Sequence, residues 1–203
     1  MAGQLPVGGT AVGIAVKEGV VLASEKRLAY GYTILSKSAK KVYVVENRMA
    51  VAFAGLVGDM QNLSKRFSAF VRIYELENQT AIKVSSAARL LSSMLYQSRF
   101  TPYFTETILG GLDSEGAHLF TFDPLGSVLP DRYTALGSGS QLALGLLETR
   151  YDEKMGLSDA VRLAKDAVYQ ATLRDIESGD GIDVVYIDAS AVHEESVQLK
   201  AWS

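Results

Sequence analysis

The chain begins its first clear pattern with Gly8-Gly9-Thr10-Ala11-Val12-Gly13-Ile14-Ala15-Val16 and continues through Lys17-Glu18-Gly19 into Val20-Val21-Leu22-Ala23-Ser24. Residues Thr10–Val16 and Val20–Ser24 are apolar and rich in β-branched side chains, which favours strands. The Lys17-Glu18-Gly19 segment is typical of a turn. Neither run alternates cleanly between apolar and polar residues, so this stretch predicts two strands buried on both faces.

Further along the chain, strand patterns alternate with pairs of helices. Strands are predicted at Val42–Val45, Met49–Ala54, Thr107–Leu112, His118–Phe122, Tyr133–Leu136, Ile182–Ile187 and Val197–Ala201. Helices are predicted at Asp59–Leu76 with Asp59 as N-cap, at Val84–Ser98, at Ser140–Tyr151, and at Ser158–Glu177 with Gly179 as its stop. Without regular βαβ units, this order indicates an α+β fold.

Composition narrows the possible functions. The 203 residues suit one domain, and a net charge of −3 offers no basic surface for nucleic acid or for a membrane. Residues 1–8 have neither the basic nor the apolar region of a signal peptide, and no apolar run is long enough to cross a bilayer. The chain has no cysteine, which excludes disulfides and thiolate metal sites. We expect a cytoplasmic protein without a cofactor.

The sequence does not match the common motifs of catalytic residues. Leu136-Gly137-Ser138-Gly139-Ser140 fails the G-x-S-x-G pattern, and the two histidines are interpreted as packed or solvated side chains. The turn carboxylates are interpreted as caps rather than metal ligands: Asp113, Glu115, Asp180 and Asp183. A hydroxyl nucleophile activated by a lysine remains possible. Lys41 opens an apolar strand and Glu25 ends another, so Glu25 could position Lys41 as that base.

Several segments together resemble the β-type subunits of the proteasome, which are N-terminal-nucleophile threonine proteases. They are Gly8–Ile14, Leu22–Arg27, Ala39–Val42 and Ala54–Asp59, with the later Gly137-Ser138-Gly139 and Arg174-Asp175-Ile176-Glu177-Ser178-Gly179. The resemblance implies a four-layer αββα sandwich, two antiparallel sheets between helix layers. It also implies a short prosegment, residues 1–8, cut after Gly8, and a single domain, residues 9–203. The acidic residue Glu25 and the short prosegment resemble the archaeal branch.

In this family the nucleophilic Thr lies four residues before a Gly, sixteen before an acidic residue and thirty-two before a Lys. Counting back from Gly13, Glu25 and Lys41 reaches Gly9, so glycine replaces the nucleophile. The resemblance assigns the oxyanion-stabilising amide to Gly55 and completes the site with Ser138, Asp175 and Ser178. Because glycine has no hydroxyl, we expect an inactive, unprocessed chain.

The resemblance further implies a pocket for the residue before the cut, lined by Arg27, Leu28, Ala29, Ala39, Phe53 and Val57. Their largely apolar character suggests hydrophobic peptides. Implied partners are rings of α-type subunits, other β subunits in a homo- or heteroheptameric ring, and polypeptide substrates.

Four alternatives remain. The chain could be a naturally non-catalytic subunit that supports an active partner, or an active subunit that carries a Thr-to-Gly substitution. Thr10 could act as nucleophile after a cut at Gly9, although adjacent residues of a strand point to opposite faces, so its hydroxyl is expected to point away from the site. The chain could also be another self-processing amidohydrolase.

Overall fold

The predicted N-terminal hairpin lies inside the first of two large sheets. In the computed structural model, which describes residues 8–199, this hairpin consists of β1 (Ala11–Val16) and β2 (Gly19–Glu25). The strands are antiparallel, with Gly13 opposite Leu22. All seven residues of β2 are buried, as expected for a strand that is covered on both faces.

The remaining strands of the described residues are β3 (Leu28–Tyr30), β4 (Thr33–Ser36), β5 (Val42–Val45), β6 (Met49–Gly55), β7 (Thr105–Asp113), β8 (Gly116–Phe122), β9 (Val128–Pro130), β10 (Tyr133–Leu136), β11 (Gly181–Asp188) and β12 (Val192–Gln198). The helices are α1 (Val57–Asn78), α2 (Val84–Gln97), α3 (Ser140–Arg150) and α4 (Leu157–Thr172).

The strands form two five-stranded sheets and a separate hairpin. The first sheet has the order β10-β1-β2-β11-β12, and the second has the order β5-β6-β7-β8-β9. Within residues 8–199, strands β3 and β4 pair only with each other. All neighbouring strands are antiparallel.

Three apolar clusters show how the layers stack. One cluster joins the first sheet to α3 and α4, and includes Val12, Ile14 and Ala164. A second joins the second sheet to α1 and α2, and includes Phe53, Phe67 and Leu91. The third, with Ala11, Leu22 and Ile108, lies between the two sheets. The predicted four-layer αββα sandwich is therefore confirmed.

Gly13 is required by the close approach of the two sheets. A β-carbon at this position would lie 2.8 Å from Leu119 Cδ1 and 3.0 Å from Ile108 Cγ2. Real β-carbons do not come so close to their neighbours, because van der Waals repulsion rises steeply at these distances. The glycine that sets the family register therefore has a packing role.

Some predicted boundaries are wrong. Asp59 is not the N-cap of α1, because the helix begins at Val57 and the Asp59 carboxylate accepts a hydrogen bond from the Phe104 amide at 2.8 Å. Helix α4 ends at Thr172 rather than Glu177. Beyond it, the Asp175 carboxylate accepts hydrogen bonds from the Ser178 hydroxyl and the Glu177 amide, and such local bonds compete with helical ones.

The short strands β3, β4 and β9 are absent from the sequence-based assignment. They have three, four and three residues, too few for a period to be recognised. The last strand covers Val192–Gln198 rather than Val197–Ala201. Its pairing with β11 begins at Val192, opposite Ile187, and ends at Gln198, opposite Gly181. Ala201 itself lies outside the described residues.

Candidate active site

The predicted site residues converge at one end of the two sheets. Gly9 directly precedes β1, while Glu25 and Gly55 end β2 and β6. Because β1 and β2 are antiparallel, the start of one lies beside the end of the other. Lys41 directly precedes β5, and its carbonyl accepts a hydrogen bond from the Phe53 amide of β6 at 3.0 Å.

Lys41 and Glu25 form a buried ion pair. The Lys41 side chain is 2% exposed and that of Glu25 is fully buried. Lys41 Nζ donates to Glu25 Oε1, and also to the Arg27 carbonyl at 2.6 Å. Burial raises the pKa of the Glu25 carboxyl above its ordinary value, while Lys41 and the Arg27 and Gly179 amides act in the opposite direction. These contacts fix the Lys41 nitrogen next to Gly9.

Gly9 adopts a backbone conformation that other residues avoid. Its φ is +106°, in a region where a side chain would be strained. A β-carbon on Gly9 would lie 2.8 Å from Lys41 Nζ and 2.5 Å from Glu25 Oε1. A side chain at position 9 would therefore require the ends of Lys41 and Glu25 to shift.

The carbonyl of Gly8 points at the Gly55 amide, which donates to it at 3.2 Å. Gly55 has a φ of +135°, and a β-carbon there would overlap the Phe104 carbonyl. Only glycine fits this conformation easily. An amide held in this position can stabilise negative charge that develops on the Gly8 oxygen.

Hydroxyl and carboxylate side chains form a hydrogen-bond network that begins at the Gly9 amide. Gly9 N donates to Ser138 Oγ at 3.0 Å, and Ser138 Oγ donates to Asp175 Oδ2 at 2.7 Å. Ser178 Oγ donates to the same oxygen at 2.6 Å. Thr10 departs from the expectation that its hydroxyl points away from the site, because Thr10 Oγ1 lies 2.7 Å from Ser178 Oγ. Thr10 is fully buried in this network.

An open cavity of about 210 Å³ lies beside Gly8. Arg27, Leu28, Ala29 and Val57 line it, as predicted for the pocket, together with one residue of β4 and residues around the start of α1. Ala39 and Phe53 are not among its lining residues. Phe53 is fully buried in the core between the second sheet and its helices, and the Ala39 amide bonds to the Lys26 carbonyl at 2.9 Å.

The acidic residues at the turns mostly have protein partners. Asp113, Glu115 and His118 have atoms close enough to hold a metal ion. However, Asp113 accepts from the Val84 amide at 2.8 Å, which caps α2, and Glu115 pairs with Lys83 at 2.5 Å. Asp180 and Asp183 pair with Arg27 and Lys26. These contacts agree with a structural interpretation of the four carboxylates.

None of the helices in residues 8–199 is long and apolar enough to cross a membrane.

Some residues next to the site are not predicted by the sequence. Glu177 packs against the α-carbon of Gly8, where any β-carbon would overlap its carboxylate. Tyr30 and Leu35 border the cavity from the β3–β4 hairpin. These residues carry no motif, and the hairpin itself was not predicted, so only the fold could place them here.

The arrangement combines a lysine next to position 9, a carboxylate that fixes this lysine, and an amide on the preceding carbonyl. Such a set can activate a hydroxyl at position 9 and stabilise the oxyanion formed by its attack. Residue 9 is glycine, which has no hydroxyl.

Comparison with known proteins agrees with this geometry. A family model described as "Proteasome subunit" matches residues 6–187. The chain is 48% identical to proteasome subunit beta 2 of Thermofilum pendens over 191 residues, 94% of each chain. It is 46% identical to proteasome subunit beta 2 of Pyrobaculum calidifontis over 200 residues, 98% of each. It is also 49% identical to proteasome subunit beta 1 of Ignicoccus hospitalis over 180 residues, 89% of this chain and 90% of the other. Given this fold, this site and these matches, the chain belongs to the proteasome family as a β-type subunit of the 20S core particle.

Proposed function

We propose that this chain is a non-catalytic β subunit, which builds the chamber of the core particle and supports an active β subunit in the same ring. Residues 1–8 then stay attached as an N-terminal segment, and residues 9–203 form the ring-building domain. The observation that carries the proposal is the Gly9 backbone itself. Glycine has no hydroxyl that could act as a nucleophile, and its φ of +106° is one that other residues adopt only with strain.

The numbering of the relatives favours a natural structural subunit over a recent loss of threonine. The site itself does not distinguish the two origins, because the atoms nearest a β-carbon at position 9 are the ends of two flexible side chains, Lys41 Nζ and Glu25 Oε1. The relatives are numbered beta 1 and beta 2, which supports a lineage with more than one β chain. The family's threonine-type endopeptidase activity on unfolded polypeptides would then reside in the partner β subunit.

The remaining partners follow from family membership. A proteasome β subunit assembles with other subunits into a particle. We infer heteroheptameric β rings stacked on rings of α-type subunits, by analogy with the family and with the archaeal proteins that this chain resembles. We also expect this particle in the cytoplasm.

Thr10 is the second candidate nucleophile, since a cut after Gly9 would give it a free amine. Its environment speaks against this role. Thr10 Oγ1 bonds to Ser178 Oγ at 2.7 Å and the residue is fully buried. The family match also leaves no support for an unrelated self-processing amidohydrolase.

Two measurements on the assembled protein test the proposal. Intact mass spectrometry should show residues 1–8 still attached, and particles in which this is the sole β chain should not cleave hydrophobic fluorogenic peptides. A chain that begins at Thr10, with peptidase activity, would establish Thr10 as the nucleophile and overturn the proposal.

A further inference from the structure

Residues 137–139, which follow β10, hold residue 9 by its main-chain atoms. Ser138 Oγ accepts a hydrogen bond from the Gly9 amide at 3.0 Å. The Gly139 amide donates a hydrogen bond to the Gly9 carbonyl at 3.4 Å. The position of both polar atoms of the Gly9 backbone therefore depends on where the 137–139 segment lies.

Gly137, the first residue of this segment, has no side chain that could anchor it. Its φ is +90°. A β-carbon there would overlap the Gly9 carbonyl oxygen and would lie 2.7 Å from Ala54 Cβ. Glycine is the residue that tolerates both this φ and this close approach. The start of the segment therefore has to be fixed through its main chain.

Glu106 makes this contact from the second sheet. Glu106 Oε2 accepts a hydrogen bond from the Gly137 amide at 2.9 Å, although the two residues are 31 positions apart along the chain. Glu106 lies in β7 opposite Ala54 of β6, and Ala54 directly precedes Gly55, whose amide is part of the site. One carboxylate thus connects the strand pair that carries the Gly55 amide with the 137–139 segment.

No cation competes for the Glu106 carboxylate within residues 8–199. The residue is partly buried, and no basic side chain of the described part of the chain forms an ion pair with it. Hydrogen bonds from an amide to an ionised carboxylate are stronger than those between neutral groups. The bond to Gly137 is therefore well suited to hold the segment in one place.

We propose that Glu106 is a positioning residue of the site, which fixes Gly137 and thereby places Ser138 and Gly139 against residue 9. Glu106 acts through the segment and not on the bond between residues 8 and 9. The inference rests on the proposed function, because residue 9 is glycine here and its position affects chemistry only when a hydroxyl is restored. The Gly137 amide needs an acceptor, so a neutral glutamine can replace the carboxylate.

Hydrogen exchange tests the contact in the assembled full-length chain, with Gly9 unchanged. Glu106→Ala should raise the exchange rate of the amides of residues 137–139 at least tenfold, because the Gly137 amide loses its acceptor and the segment loses its anchor. Glu106→Gln should exchange within threefold of the unmodified chain. Unchanged exchange in Glu106→Ala would overturn the proposal.

The matched control for this experiment is Glu18→Ala. Glu18 Oε2 also accepts a hydrogen bond from a distant backbone amide, that of Leu157, at 3.0 Å, but Glu18 lies in the turn between β1 and β2, at the other end of that hairpin from Gly9. Its loss should leave the exchange of residues 137–139 unchanged. Equal acceleration in both variants would indicate general loosening of the fold and would contradict a specific role of Glu106.

A kinetic test separates positioning from support of the fold. Release of residues 1–8 is followed by intact mass in the Gly9→Thr chain, in samples whose melting curves match. Adding Glu106→Ala should slow this release at least tenfold, while Glu106→Gln and Glu18→Ala should stay within threefold of Gly9→Thr alone. Release that is as fast with Glu106→Ala, or as slow with Glu106→Gln as with Glu106→Ala, would overturn the proposal.

Failure of the positioning role can be told apart from failure of the proposed function. If Gly9→Thr alone releases nothing, the account of the missing hydroxyl fails, while the exchange measurement still decides the role of Glu106. An unmodified chain that begins at Thr10 contradicts the proposed function alone.

Discussion

Lys41 and Glu25 show at the residue scale why a site can keep its charged groups without catalysis. Both are buried, and each provides the other's charge partner. Removing one partner of such a pair leaves an uncompensated buried charge, which destabilises a protein strongly. The pair therefore has a structural reason to stay, apart from any proton transfer.

Lys41→Met should lower the free energy of unfolding by about 3–5 kcal/mol near pH 8, because it leaves Glu25 buried and unpaired. Loss of Lys41 removes an influence that lowers the pKa of Glu25, so that pKa rises further. A group whose folded pKa is raised stabilises the fold below its unfolded pKa and loses this contribution as pH rises. The deficit should therefore shrink at pH 5, as denaturant titrations at both pH values can show.

The control for this prediction is Lys41→Met/Glu25→Gln, which removes both charges. It should be more stable than Lys41→Met alone at pH 8 and show a weaker dependence on pH. A single variant as stable as the unmodified chain would contradict the structural role of the pair.

At the scale of elements, strands that are buried on both faces were recognised from their composition, while short exposed strands were not. Val42–Val45 and Tyr133–Leu136 have the predicted bounds. The predicted C-terminal end of α4 is wrong because Asp175 accepts hydrogen bonds from the nearby Ser178 and from Ser138, which is 37 residues away along the chain. For the site, the resemblance to the proteasome family predicts which groups converge, but it could not show the φ of Gly9 or the position of Glu177.

Gly13→Ala should destabilise the chain by about 1–3 kcal/mol, because the new methyl group overpacks the space between the sheets near Leu119 and Ile108. Gly145→Ala is the matched control, since it lies inside α3 with nothing within 4 Å of its new β-carbon. That substitution should stabilise the chain by about 0.5–1 kcal/mol. Melting curves of the two variants compare the effects, and equal stability would contradict the tight approach of the sheets.

At the scale of the whole molecule, α1 carries apolar side chains that the subunit alone does not bury. Phe70, Ile73 and Leu76 are 42%, 48% and 62% exposed. A ring-building subunit covers such a surface on assembly. We expect this helix to contact a neighbouring subunit of the particle.

Ile73→Glu should reduce the amount of full-size particle at least fivefold in sizing chromatography with α-type subunits, because it buries a charge at that contact. Gln61→Glu makes the same charge change at an exposed position nearer the start of the same helix and should assemble normally. Normal assembly of the Ile73 variant would place the contact elsewhere.

If the absence of one hydroxyl silences this subunit, Gly9→Thr should restore its self-cleavage. The new side chain would be strained by about 1–3 kcal/mol at a φ of +106° and would displace the end of Lys41 slightly. Breaking the bond between Gly8 and residue 9 removes that constraint on φ, so the strain favours cleavage. We expect intact mass spectrometry of the assembled variant to show loss of residues 1–8, while Gly9→Ala, which adds the β-carbon without the hydroxyl, remains full length. A folded, assembled Gly9→Thr chain that keeps residues 1–8 would contradict the account.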